Sequence, residues 1–141
     1  MRLIEGPVTP EIISGIISKG QQKTECGAHA IFLGQVRNDI VEGREVKAID
    51  YSAYEEMVIM EADKISKTLL SEFDDVAWIE ILHSKGEVPA GRISLMVFVS
   101  AGHRGQASKA CARAVELIKE KLPIWKKEIF SDDSSRWREN E

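Results

Sequence analysis

The sequence predicts an α+β domain in which three helices pack against a mixed or antiparallel sheet. Three stretches have the apolar spacing of amphipathic helices, and short apolar runs typical of strands lie between them. No linker rich in Pro, Gly or Ser divides the 141 residues, so we expect one domain that spans residues 1–141. The predicted order is a helix, two strands, a helix, two strands, a helix and an irregular tail.

The first predicted helix begins near Pro10. Thr9 is a suitable N-cap, Pro10 fits the first helical position, and Glu11 suits the helix dipole. Isoleucines recur at helical spacing over residues 12–17, and Gly20 is expected to end the helix.

Two strands follow this helix. Residues 27–36 are apolar on both faces, which predicts a central strand of the sheet. Residues 46–53 have mixed polarity and form the second candidate strand. A polar loop from Arg37 to about Arg44 is expected to connect the two strands.

The second half of the chain repeats the alternation. Residues 55–73 carry apolar side chains at helical intervals, and residues 76–83 and 92–100 are predicted strands. The connection over residues 84–91 contains two glycines and a proline, which favour turns and suit an antiparallel return.

The third predicted helix, residues 106–122, has a face of small residues that suits close packing on the sheet. This face consists of Ala107, Ala110, Cys111, Ala114, Leu117 and Ile118. Pro123 is expected to end the helix, and an irregular tail follows.

Composition argues against several classes of function. The formal net charge of -4 disfavours general nucleic-acid binding, which needs a basic surface. No apolar run reaches the length of a membrane span, and the N-terminal residues lack a signal-peptide pattern. Neither Cys26 nor Cys111 has the basic neighbours that favour a thiolate, and the three histidines lack the spacing of metal ligands. We therefore expect a cytoplasmic protein with no metal or other cofactor.

Basic residues concentrate around the third helix. His103 and Arg104 stand between two glycines where a strand turns into this helix, and backbone N–H groups at a helix start favour anions. Arg104 adds a planar guanidinium group that can donate two hydrogen bonds to a phosphate or carboxylate, and His103 adds a titratable donor. The alternative is that His103 merely ends the strand and Arg104 is a solvated surface residue.

Two lysines are further candidates. Lys119 lies on the flank of the helix, where it either reaches the edge of a pocket as an acid, base or nucleophile or extends into water. Lys126 follows Pro123 and Trp125, in a segment that is either a rigid platform aiming the lysine inward or a tail held by the tryptophan. Arg37 leaves the end of a predicted strand, which is a weak indication of a site by itself.

The chain resembles the large, catalytic subunit of molybdopterin synthase, and the resemblance covers nearly its whole length in the family's order. The matching stretches are I-F-L-G-Q-V-R at 31–37, H-S-K-G-E-V-P-A-G at 83–91, S-A-G-H-R at 100–104, K-E-K-L-P-I-W-K-K-E at 119–128 and R-W at 136–137. The arrangement of lysines around a Pro and a Trp is the most specific of these motifs.

The resemblance implies an α/β-hammerhead-type fold with an extra β subdomain. It also implies a homodimer of large subunits within a heterotetramer, each binding a small ubiquitin-like subunit whose C-terminal Gly-Gly carries a thiocarboxylate. The family transfers sulfur from this carrier to cyclic pyranopterin monophosphate and forms the molybdopterin dithiolene, a step of molybdenum cofactor biosynthesis. A phosphorylated substrate and an anionic tail would together explain a basic cluster in an acidic chain.

The family's functional residues map onto this sequence by motif position. Lys119 and Lys126 become the catalytic candidates. The substrate-binding candidates are Gln35, Arg37, His103, Arg104, Lys127 and Glu128. Under this assignment Lys119 assists sulfur release at the carrier's terminal carbonyl, and Lys126 protonates the pterin side or stabilises charge there.

The chain departs from the family at two places. Ala101 stands where relatives usually have a second Ser or Thr, which removes a hydroxyl. The tail ends soon after Arg138, which becomes the candidate to replace more distant C-terminal basic residues. Two other functions remain open at this point: a non-catalytic module that binds an anionic partner tail, and a phosphate-ester enzyme that acts without a sulfur carrier.

Overall fold

The computed structural model describes residues 1–138, and its α+β architecture confirms the predicted class. The helices are α1 (Pro10–Gln21), α2 (Glu55–Glu72) and α3 (Arg104–Lys121). The strands are β1 (Arg2–Glu5), β2 (Ala28–Gln35), β3 (Ile40–Val41), β4 (Arg44–Ala53), β5 (Val76–Pro89), β6 (Ile93–Ala101), β7 (Ile124–Phe130) and β8 (Ser135–Arg138). Within these residues no helix is both long and apolar enough to cross a membrane.

The strands form one continuous sheet in the order β2-β6-β5-β4-β7-β8. Neighbours along this path are antiparallel, whereas β1 joins β5 in parallel and makes the sheet mixed. The 14-residue strand β5 pairs with β6 along its first part and with β4 along its last part. Gly86 lies between these parts with a φ of +78°, a backbone conformation that favours glycine. The strands β4, β7 and β8 beyond it form the extra β subdomain.

Helix α1 begins as predicted but ends later. The hydroxyl of Thr9 accepts a hydrogen bond from the N–H of Ile12 at 3.3 Å, so Thr9 is the N-cap. The helix continues through Gly20 to Gln21, which contradicts the expected end at the glycine. A Cβ at position 20 would lie 2.8 Å from the ring of Phe98, so the glycine allows close packing on β6 instead.

Strand β2 is an edge strand, and the prediction of a central position was wrong. Its residues alternate between partly buried and exposed positions. Ala28 and Phe32 pack on the core, whereas Ile31 and Leu33 point outward and are 42% and 41% exposed. An apolar outward face is indistinguishable in sequence from a face covered by the protein's own core, which explains the error.

Four further segments differ from the prediction. Arg2–Glu5 forms β1, and residues 84–89 continue β5 where a turn was expected. The predicted loop after Arg37 contains the short strand β3, which pairs with β4. The tail is a hairpin of β7 and β8 on the edge of β4. The strand β3 pairs with its neighbour in sequence, whereas β1, the last part of β5 and β7 depend on pairing with distant strands, which local patterns do not reveal.

The main core lies between the sheet and the two longer helices. All six residues predicted for the buried face of α3 are buried, as are four of the apolar residues of α2. Against them pack the inward side chains of β5 and β6, including Ile81, Val97 and Val99. Helix α3 is thereby fixed along β2 and β6, with its last turn facing the β subdomain.

Candidate active site

A cavity of about 320 Å³ lies where the end of β2, the last turn of α3 and the β subdomain meet. Its volume is in the range of small-molecule sites. Its polar lining residues are Gln35, Arg37, Tyr51, His83, Ser94, Lys119, Lys126 and Arg138. Four of these eight side chains are Lys or Arg, so the cavity is strongly basic although the chain as a whole is acidic.

The two candidate lysines reach the cavity from consecutive elements. Lys119 belongs to the last turn of α3, which ends at Lys121. Pro123 lies in the short connection to β7, where the buried Ile124 and the partly buried Lys126 share the face that lines the cavity. The platform interpretation of this segment is therefore correct. Trp125 points the other way, is 44% exposed and makes an edge contact with the ring of Tyr54.

Arg37 and Arg138 approach the cavity around a common carboxylate. Oδ2 of Asp39 lies 3.2 Å from Nη2 of Arg37 and 3.3 Å from Nη2 of Arg138. Arg37 is the more exposed of the two arginines, and Arg138 is largely buried at the side-chain level. The shared partner holds two guanidinium groups near each other despite their like charge.

Glu128 lies beneath the cavity lining and anchors Arg138. The residue is 1% exposed, and its Oε2 accepts a hydrogen bond from Nη2 of Arg138 at 2.9 Å. Its Oε1 accepts from Nε of Arg136, also at 2.9 Å. Burial alone would raise the pKa of this carboxyl, but the two arginines outweigh it and hold the pKa below its ordinary value. With both oxygens engaged, Glu128 positions an arginine and does not itself line the cavity.

Cross-strand pairing places three cavity residues in one row. Tyr51 of β4 is paired with Lys126 of β7, which is paired with Arg138 of β8. On the other side of Tyr51 lies His83 of β5, whose ring makes an edge contact with a centroid distance of 5.1 Å. The hydroxyl of Tyr51 donates a hydrogen bond to Oγ of Ser94 at 2.9 Å, and burial raises the pKa of the tyrosine.

His83 was noted in the sequence only as a histidine without the spacing of a metal ligand, but it lines the cavity and is only 6% exposed. Burial, together with a smaller effect of the positive charge of Lys126, lowers its pKa to about 4. Tyr51 and Ser94 also line the cavity and were not predicted from the sequence. Tyr51 lies in a strand whose mixed polarity gave no local signal for a cavity position.

His103 and Arg104 lie at the opposite end of α3 and do not line this cavity. Fifteen residues separate Arg104 from Lys119 along the helix, a distance of about 22 Å at 1.5 Å per residue. Both residues are exposed. His103 is the N-cap of α3, and its backbone N–H donates to Oδ2 of Asp75 at 2.7 Å. Within one chain, the two predicted basic groups are therefore separate.

Lys127 lies on the outer face of β7, away from the cavity. Its Nζ is 5.2 Å from the ring centroid of Trp137, and Trp125 lies on the same face. Neither cysteine carries a feature of a nucleophile, because burial raises the pKa of both Cys26 and Cys111. Among residues 1–138, His, Cys, Asp and Glu form no group of three or more suited to holding a metal ion.

Comparison with known sequences gives one consistent family. A family model described as the MoaE protein matches residues 8–121. A molybdopterin synthase catalytic subunit from Dictyostelium discoideum is 41% identical over 116 residues, which cover 81% of this chain and 73% of that protein. The same subunit from Drosophila pseudoobscura pseudoobscura is 37% identical over 141 residues. That match covers 99% of this chain but 38% of the Drosophila protein, so the chain spans little more than a third of that relative.

Solved structures share the fold over nearly the full chain. The crystal structure of molybdopterin synthase from Staphylococcus aureus superposes with a TM-score of 0.85 at 28% identity and covers 99% of both chains. A chain from the complex of subunits 1 and 2 of the molybdopterin-converting factor of Helicobacter pylori has a TM-score of 0.82. At 19% identity over 98% of this chain and 89% of that chain, the second likeness shows the fold alone.

Proposed function

Because the chain belongs to the MoaE protein family, we propose that it is the catalytic subunit of a molybdopterin synthase. It transfers sulfur from the C-terminal thiocarboxylate of a small ubiquitin-like subunit to cyclic pyranopterin monophosphate and forms the molybdopterin dithiolene. The observation that carries the proposal is the convergence of Lys119 and Lys126 with two arginines in one cavity.

Electrostatics support this assignment of substrates. The phosphate of the pterin and the thiocarboxylate of the carrier are both anions, and the cavity collects four cations from four parts of the chain. Arg37 and Arg138 offer planar donor groups that fit a phosphate, whereas a lysine is a compact donor that can also move a proton. The partial enclosure of the cavity strengthens these interactions relative to bulk water.

The proposed roles divide the two lysines between the two substrates. Lys119 acts at the terminal carbonyl of the carrier and assists release of sulfur by acid–base or covalent chemistry. Lys126 stabilises or protonates charge that develops on the pterin. The connection between α3 and β7 is short, so the positions of the two ammonium groups are coupled through the same backbone.

The quaternary proposal is a homodimer of large subunits within a heterotetramer. The outward apolar face of the edge strand β2, with Ile31 and Leu33, is the surface that we assign to contact with a second copy. His103 and Arg104 lie too far from Lys119 to reach the same substrate within one chain. We therefore assign them to the cavity of the partner protomer, so that each active site is shared.

Reconstitution tests the proposed activity. The purified protein is mixed with a thiocarboxylated small subunit and cyclic pyranopterin monophosphate, and dithiolene formation is measured. Wild type and Lys121→Ala, a change at an exposed lysine of the same helical turn that does not line the cavity, are expected to form product. Lys119→Ala is expected to lose at least about 100-fold in rate. Carrier binding without product in the wild type would contradict the enzyme and leave a docking module. Turnover without the carrier would instead indicate a phosphate-ester enzyme.

A further inference from the structure

We propose that His83 is the hydrogen-bond acceptor that recognises the pterin ring, so that it determines specificity for the heterocycle while the cations bind the phosphate. This role rests on the proposed function and deepens it. His83 lies on the wall of the cavity, in a strand that is paired on both sides, with Leu3 of β1 and with Leu95 of β6. Its backbone is therefore fixed at the centre of the sheet.

The protonation state of the ring follows from its hydrogen bond. Nδ1 lies 2.7 Å from the carbonyl oxygen of Ser84. A carbonyl oxygen only accepts, so Nδ1 carries the proton and donates. The neutral ring then has its lone pair on Nε2. Because burial and the charge of Lys126 lower the pKa to about 4, the ring is neutral at physiological pH and Nε2 acts as an acceptor.

The other polar residues that line the cavity are mostly hydrogen-bond donors, so an acceptor is needed for the N–H groups of the pterin. Arginine and lysine side chains only donate, and the hydroxyls of Tyr51 and Ser94 are hydrogen-bonded to each other. A pterin ring carries lactam and amino N–H groups, which would lose their hydrogen bonds to water on entering a cavity of donors. Gln35 offers an amide oxygen, but the residue is exposed at the end of β2. His83 supplies its acceptor from a buried position, where a hydrogen bond discriminates more strongly.

The edge contact with Tyr51 fixes the orientation of this acceptor. The two ring planes meet at 79°, and the tyrosine is itself held by its hydrogen bond to Ser94. With Nδ1 tied to the backbone as well, rotation of the imidazole is restricted on two sides. Such preorganisation allows one hydrogen bond to select a ligand geometry without a large entropic cost.

Two substitutions separate the two nitrogens. His83→Asn keeps a donor near the position of Nδ1 for the carbonyl of Ser84 but has no group at the position of Nε2. His83→Gln places an amide oxygen near the position of Nε2 and restores the acceptor. Binding of cyclic pyranopterin monophosphate and of inorganic phosphate to the full chain is measured by calorimetry, and thermal unfolding confirms that each variant is folded.

We expect His83→Asn to weaken binding of the pterin about tenfold, which corresponds to one hydrogen bond. Phosphate binding should stay within about twofold of the wild type in both variants, and His83→Gln should recover most of the pterin affinity. Unchanged pterin binding in folded His83→Asn would overturn the inference and leave the proposed function intact. Equal losses for pterin and phosphate, or no recovery in His83→Gln, would also overturn it. Failure of the wild type to bind the pterin at all would instead overturn the proposed function.

Discussion

Asp75 holds both the backbone and the ring of His103 with a single carboxylate oxygen. Its Oδ2 accepts a hydrogen bond from the N–H of His103 at 2.7 Å and lies 3.1 Å from Nδ1 of the ring. Gly102 makes this approach possible, because a Cβ there would overlap the Asp75 carboxylate. The N–H of Gly102 also donates to the backbone carbonyl of Asp75 at 3.1 Å. The turn into α3 is thus tied to the turn before β5.

Asp75→Ala is expected to lower the rate of dithiolene formation about 10- to 100-fold if His103 contacts substrate, because the ring loses its fixed orientation. The matched control is Asp74→Ala, since Asp74 bonds only the side chain of Gln106 among the hydrogen bonds of residues 1–138. The nitrogen chemical shifts of His103 report its tautomer and should change in Asp75→Ala alone. A lower rate with unchanged shifts would contradict the positioning role.

Lys126 and Lys127 provide a comparison of adjacent residues on opposite faces of one strand. Lys126→Ala is expected to lower turnover about 100-fold or more, because it removes a charge from the cavity. Lys127→Ala should change turnover less than about threefold, because this ammonium lies over Trp137 on the outer face. Steady-state kinetics of the reconstituted enzyme measure both. Equal losses would restore the sequence-based assignment of Lys127 to substrate binding.

Glu128→Gln is expected to destabilise the fold by about 3 kcal/mol, because it leaves two arginine contacts without their buried charge partner. The lowered pKa means that this stabilisation is fully present above the carboxyl's ordinary pKa of 4.5 and is lost as the pH falls through the native value. Urea unfolding at pH 7 measures the loss. The KM for the pterin should also rise in Glu128→Gln, because Arg138 loses its anchor. As a control, Glu87→Gln changes an exposed residue and should alter neither the stability nor the KM.

The buried His83 should make the protein less stable in mild acid. Its native pKa of about 4 lies below the ordinary value of 6.5, so between these values the unfolded chain binds a proton that the native protein does not. Stability is therefore full above pH 6.5 and decreases as the pH falls towards 4, by about 2 kcal/mol at pH 5. In His83→Gln the free energy of unfolding should lack this decrease. Since His29 and His103 are common to both proteins, an identical pH dependence would contradict the burial argument.

The proposed dimer contact predicts that Ile31→Lys combined with Leu33→Lys yields a monomer in sedimentation. The substituted side chains point outward from an edge strand, so the fold itself should tolerate them. Loss of folding, or a dimer that persists, would contradict the assignment of this face.

Mixing of inactive variants tests whether the sites are shared. Lys119→Ala and Arg104→Ala homodimers should each be inactive, but a mixed dimer would place both defects in one site and leave the other intact. Random exchange of subunits should then restore about a quarter of wild-type activity. No recovery after confirmed exchange would mean that Lys119 and Arg104 do not serve opposite protomers.

Local sequence predicted those parts of the site that are close together in the chain. Lys119 and Lys126 flank the C-terminal end of α3. The helical spacing of apolar residues and Pro123 locate this end in the sequence, so the two lysines could be expected near each other. The buried face of α3 was likewise readable from its spacing. The outcome for β2 shows the limit, since an apolar outward face and a buried face have the same pattern.

The rest of the site depends on strand register, which a single sequence does not specify. Tyr51, Lys126 and Arg138 come from three different strands and meet only because of their pairing. His83 reaches the cavity because β5 is long enough to serve two parts of the sheet. The role of Glu128 as an anchor was equally hidden, because its partners follow a turn that closes a hairpin expected to be an irregular tail.

The outer face of this hairpin makes the molecule a spectroscopic reporter of its own site. Trp125 and Trp137 alternate with Lys126 and Arg138 along the same two strands, so the indoles face solvent while the cations face the cavity. If the backbone of the hairpin shifts when an anion binds in the cavity, the two indoles move with it. They do not contact the anion, because they lie on the opposite face. In a Trp78→Phe background, tryptophan emission would come from the hairpin alone, and occupancy of the cavity could be followed without a dye.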